Sequence, residues 1–142
     1  MRQKFGVLFA ASLTCVLLLP LAARASLETD ILDRWYVLLG KADATGLAGL
    51  LAPKARIKLE DIGTTQTKRE FLDSMEEWRE AIDGGTIRYH IEATAAGTAT
   101  ALVCYQFKSN DLMTKEVFRI ANGLITQSVQ STVAENCQDF GP

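Results

Sequence analysis

Glu116 is an acid in an apolar row: in an extended chain it shares a side with Phe118 and Ile120. A carboxyl group so placed has two fates. It reaches water from a strand end, or it is buried and protonated, a donor able to hydrogen-bond a developing oxyanion. The turn at Ser109-Asn110-Asp111 is close by and favours the first. Asp61, in Glu60-Asp61-Ile62-Gly63, is the other candidate. At a pocket mouth it could remove a proton next to a carbonyl, provided burial raised its pKa. Its plainer role, and the favoured one, is to shape the turn and accept backbone N–H groups.

The larger rings are placed to fill a core or to wall a cavity. Trp35 and Tyr36 share one helical segment, Trp78 lies in another, and Tyr89, Tyr105 and Phe107 lie in extended runs. Such rings are usually core, but where helices cover a sheet they line a pocket, with tyrosine hydroxyls as polar handles. All six are pocket candidates. His90, the only histidine, alternates out of phase with Ile87, Tyr89 and Ile91 and so belongs to the opposite face. No Cys or His stands near it at ligand spacing, so no metal site is expected. No serine occupies a nucleophile elbow and no Gly-rich loop follows a strand, so triads, nucleotide chemistry and cofactors find no support.

The elements that must position these residues can be read from periodicity. Leu27 to Ala42 repeats Ile31, Trp35, Leu38, Leu39 and Ala42 at helical spacing, with Glu28, Asp30, Asp33, Arg34 and Lys41 on the other side. A short helix follows from Ala44 to Leu51, ended by Pro53. Arg56 to Leu59 alternates as a strand. Thr67-Lys68-Arg69-Glu70 fits a capping box opening a third helix to about Asp83, where Gly84-Gly85 stops it. Four strands then succeed one another: Thr86 to Ala95, Thr98 to Lys108, Thr114 to Ala121 and Leu124 to Val133. The last two are joined by Asn122-Gly123, a strong hairpin signal. Helices first and a meander afterwards predict an α+β layer fold, three helices on an antiparallel sheet of five or six strands.

The start of the chain has a different character. Arg2 and Lys4 precede a nearly unbroken apolar stretch from Phe5 to Leu21, followed by Ala23-Arg24-Ala25. Positive charge, apolar core and two small residues around a cleavage point are the marks of a secretory signal peptide. The run falls short of the roughly 20 residues a spanning helix needs. Residues 1–25 are therefore expected to be removed, leaving one domain over 26–142, exported to the periplasm or beyond. Cleavage takes away three basic residues and no acid, moving the formal charge of −2 further negative. An acidic domain without a basic stripe gives nucleic acid no footing. Cys104 and Cys137 survive cleavage, and an even pair in an oxidising compartment is expected to be bonded.

Several short stretches together resemble the nuclear transport factor 2-like superfamily, which includes ketosteroid isomerases and SnoaL-type cyclases. They are Trp35 in the first helix, the Lys41-Ala42-Asp43-Ala44 link, the run Ala55 to Gly63 and the hairpin Arg119-Ile120-Ala121-Asn122-Gly123-Leu124-Ile125. The resemblance implies a cone of curved sheet with a pocket beneath the helices. It also implies Asp61 as a general base, Glu116 near the acid that polarises a carbonyl, and a catalytic tyrosine falling at Trp35 or one residue away at Tyr36. An indole cannot stand in for that phenol. The expectation is thus a non-catalytic module for a small apolar ligand or a protein partner. The alternative is an isomerase-like or cyclase-like enzyme using Asp61. Arg88, His90, Glu92, Leu102, Cys104, Val117, Arg119, Thr126, Ser128 and Gln130 are expected on the convex face, suited to a homodimer contact or to solvent.

Overall fold

Alternation in the second half of the chain becomes a long antiparallel meander. The computed structural model describes residues 21–141, with side chains from residue 27 onward. The leader expected over residues 1–25 lies almost wholly outside those bounds. Among the described residues, the strands are β1 (Leu51–Leu59), β2 (Thr64–Thr67), β3 (Thr86–Ala95), β4 (Thr98–Gln106), β5 (Asp111–Ala121) and β6 (Leu124–Ala134). They form one sheet in the order β2-β1-β6-β5-β4-β3. All neighbours are antiparallel except β1 and β6, which run parallel. Asn122 and Gly123 both take positive φ, 53° and 74°, as a tight β5–β6 hairpin turn requires.

The helices are α1 (Leu21–Gly40), α2 (Ala44–Leu50), α3 (Lys68–Asp73) and α4 (Met75–Ile82). The apolar stripe of α1 buries Ile31, Leu32, Trp35 and Leu39 against Val103, Tyr105, Phe118 and Ile120 of the sheet. Asp43 caps α2 by accepting the Gly46 N–H at 2.9 Å. The capping box on α3 is present in full: Thr67 Oγ1 accepts the Glu70 N–H, and Glu70 Oε2 accepts the Thr67 N–H at 2.8 Å. Those bonds to Thr67 hold the Glu70 carboxyl below its usual pKa. Thr67→Ala is expected to cost about 1 kcal/mol, read as a lower urea midpoint with an unchanged slope.

Three expectations are corrected. The third helix is two, because Ser74 ends α3 and begins α4, its hydroxyl donating to the Phe71 carbonyl at 2.7 Å. Pro53 does not end a helix; it lies inside β1, between Leu51 and Arg56, where the pairing with β6 shifts register and no ladder N–H is needed. Glu28 is not on the solvent side but buried. Beyond β6, Cys137 is bonded to Cys104, and a short 3-10 turn, Gln138–Phe140, seats Phe140 on the outer sheet face. There the Phe140 ring stacks on His90 at 4.5 Å, and the Arg88 guanidinium lies 4.8 Å from its centroid.

Candidate functional site

Between the inner sheet face and the helices lies a cavity of about 220 Å³. α1 contributes Trp35 and Leu39, and β1 contributes Ile57 and Leu59. Phe71, Ser74, Met75 and Trp78 come from α3 and α4, and Tyr105, Phe107, Leu112, Glu116 and Ser128 from the meander, with Gln66 and Gln130 at its border. Trp35 stacks on Phe71 at 5.3 Å, while Trp78 meets Tyr105 and Phe107 edge-on at 5.7 and 6.0 Å. Trp78 is held there because its indole N–H donates to the Leu39 carbonyl at 2.7 Å, tying α4 to the end of α1.

Glu116 is the polar centre of this wall. It does not reach solvent as the nearby turn suggested, because β5 begins at Asp111 and Glu116 lies in mid-strand, 2% exposed. Tyr105 Oη donates to Oε1 at 2.6 Å, Thr114 Oγ1 to the same oxygen at 3.2 Å, and Tyr36 Oη to Oε2 at 3.0 Å. Burial raises the Glu116 pKa, and the three hydroxyls oppose that rise without cancelling it. Tyr36 and Tyr105 are pushed well above the ordinary phenol value, first by burial and then by Glu116. The result is an acid shifted toward its neutral form, set among apolar walls. One further donor is at hand: Trp35 Nε1–H is buried without a partner among the described residues.

Four of the six aromatic candidates, Trp35, Trp78, Tyr105 and Phe107, line the cavity. Tyr36 and Tyr89 do not. Their rings stack on each other at 4.3 Å behind the wall, where Tyr36 serves Glu116 and Tyr89 donates to Asp33 at 2.9 Å. Burial first, and then that bond and the Asp33 charge, raise the Tyr89 pKa to about 12.

Asp61 is not brought to Glu116. It sits exposed in the β1–β2 turn, where its Oδ2 accepts the Thr132 N–H of β6 at 2.7 Å. Beside it, Glu60 takes Lys58 at 2.9 Å and the Ser131 hydroxyl at 2.6 Å. These carboxylates fasten a sheet corner. His90 lies on the outer face, and among the described residues no cluster of three or more His, Cys, Asp or Glu is placed to hold a metal ion.

Ser128 and Gln130 line the cavity rather than the convex face. The reason is a register shift: Arg119 pairs with Gln127 but Ile120 pairs with Ile125, leaving Thr126 as an extra residue in β6. One unpaired residue reverses the inside–outside parity beyond it, so Ile125 and Ser128 both point inward. Simple alternation has no means of finding it. Thr114 was missed as a partner of Glu116 for a different reason, since two residues along a bent strand are not ordinarily expected to bond each other.

No family model matches the sequence, and no curated protein matches it. Solved structures do. A candidate ketosteroid isomerase from Kribbella flavida superposes with a TM-score of 0.64 at 13% identity, covering 83% of this chain and 90% of that one. An NTF-2 like protein of unknown function from Burkholderia xenovorans gives 0.66 at 11% identity, covering 77% and 84%. IdmH, a candidate polyketide cyclase from Streptomyces antibioticus, gives 0.61 at 14%, covering 74% and 91%. The chain has the nuclear transport factor 2-like fold.

Proposed function

We propose that the domain binds one small, flat, largely apolar molecule through a single acceptor oxygen, without transforming it. The observation that carries this reading is the cavity itself: aromatic and aliphatic walls around one buried acid. Its size limits the ligand. A cavity of about 150 Å³ accepts benzene, so about 220 Å³ suits a molecule of one or two rings and is tight for a steroid. Its polar lining favours an acceptor oxygen, because the Trp35 N–H is a buried donor without a partner among the described residues and burial shifts Glu116 toward its protonated, donating form. The domain acts after export and removal of residues 1–25; the Cys104–Cys137 bond supports this, since such bonds persist in oxidising compartments.

The test is a panel of bicyclic ketones and phenols, 1-tetralone and 2-naphthol among them, followed by quenching of Trp35 and Trp78 fluorescence and by thermal shift. Saturable quenching with a raised Tm is expected for at least one compound. Asp61→Asn is expected to leave that affinity unchanged. A panel without a single binder, or an Asp61→Asn variant that loses binding, would count against the reading.

A second reading is favoured by one observation. A buried acid bonded to two tyrosines and shifted toward its neutral form is equipped to polarise a carbonyl, as the ketosteroid isomerase-like neighbours suggest. It requires a base other than Asp61. Turnover of a β,γ-unsaturated cyclic ketone by the wild type, abolished in Glu116→Leu, would establish it.

A further inference from the structure

A second acid is buried far from the cavity. Glu28, near the start of α1, is 4% exposed. Its Oε1 accepts the Gly97 N–H at 3.0 Å, but its Oε2 is buried with no partner among the described residues. It opens onto a cleft of about 460 Å³ between α1 and two hairpin turns, lined by Leu27, Ala96, Gly97, Asn122 and Gly123. Among the described residues, that lining contains no Lys, Arg or His. A carboxylate oxygen withdrawn from water and left without a donor is costly, so a cationic donor should be supplied from elsewhere.

The chain itself can make one. In a helix each Cα–Cβ bond leans toward the N-terminus, which sets the Glu28 carboxyl beside the turn containing Ser26. While residues 21–25 continue α1, the Ser26 nitrogen is an amide, spent within the helix by the i to i−4 pattern. Hydrolysis of the Ala25–Ser26 bond by a signal peptidase consumes one water. It leaves a carboxylate on Ala25 and an amine on Ser26, which takes up a proton near neutral pH. We propose that this new ammonium is the partner of Glu28 Oε2, so that removal of the leader completes an ion pair clamping the head of α1 to the β3–β4 turn. Glu28 then also lies in the first turn of the shortened helix, where an acid is favoured. The proposal rests on the cleavage assigned under the proposed function.

The two can be tested apart. The intact mass of the exported protein reports where the leader is cut, and a first residue other than Ser26 would overturn the maturation step. A protein produced to begin at Ser26 reports on the pairing in its own right. Acetylating its α-amine is expected to lower Tm by about 4–8 °C, and by under about 1 °C in Glu28→Gln. Should Glu28→Gln fold poorly, the wild type still reports. Its Ser26 amine should react with a succinimidyl ester at pH 7 about tenfold more slowly than the peptide Ser-Leu-Glu-Thr, as a one-unit rise in amine pKa implies. Equal Tm values with an unprotected amine, or an acetylation deficit undiminished in Glu28→Gln, would overturn the pairing.

Discussion

Replacing Cys104 and Cys137 together by alanine is expected to remove about 4 kcal/mol of stability. The bond closes a loop of 33 residues, and most of its effect lies in the unfolded chain, which it keeps from expanding. Two readouts follow in urea. The midpoint should fall steeply, and the slope should rise, because an open chain exposes more surface on unfolding. Phe140→Ala in the bonded protein separates the bridge from the packing it guides. It should lower the midpoint with no change of slope, since it removes the packing of the Phe140 ring on His90, Arg88 and Met113 and leaves the bridge intact. A double-alanine variant losing under about 1 kcal/mol would mean that the tail is held by packing alone.

The second large effect concerns Glu116. Its native pKa lies above its unfolded value, so over the interval between the two the native state keeps a proton that the unfolded chain has released. Stability from this group is therefore fully present below the unfolded value, about 4.3. It declines as pH rises through the interval and is level above the native pKa. Glu116→Gln, which keeps the shape and cannot titrate, should fold and lose that decline. The informative quantity is the wild-type curve minus the variant curve, because surface acids such as Glu60, Glu70 and Asp83, whose pKa values are lowered, slope the opposite way in both proteins. Glu116→Leu is a harsher change. It strands the hydroxyls of Tyr36, Tyr105 and Thr114, each costing about 1–3 kcal/mol when unsatisfied. Ligand affinity should follow the same titration, falling as pH rises in the wild type and staying flat in Glu116→Gln. A difference curve that rises with pH would show that Glu116 is ionised in the folded protein.

How far these features could be read in advance depends on their range along the chain. Strict two-residue alternation put Tyr105, Phe107, Glu116 and Phe118 on one face, and the structure keeps them there. The capping box and the Asn122-Gly123 turn are equally local, and both are present. Glu116 was legible as facing inward but not as buried. Its depth depends on β5 starting at Asp111, and its main partner beyond the sheet, Tyr36, is 80 residues away. Asp61 shows the converse. Its turn favours a residue accepting backbone N–H groups and it does accept one, but that N–H belongs to a strand 71 residues later, and no local pattern carries that information. The break at Ser74 stayed hidden because the apolar stripe Phe71, Met75, Trp78 and Ile82 runs through it in phase.

The unpaired Thr126 in β6 has an implication for how such a domain changes its diet. Losing that one codon would join Ile125 directly to Gln127 and keep every existing pairing with β5, so Ser128 and Gln130 would still face inward on a straighter strand. Ligand preference should therefore survive the loss of Thr126, while substitutions at Ser128 and Gln130, which line the cavity, change it directly.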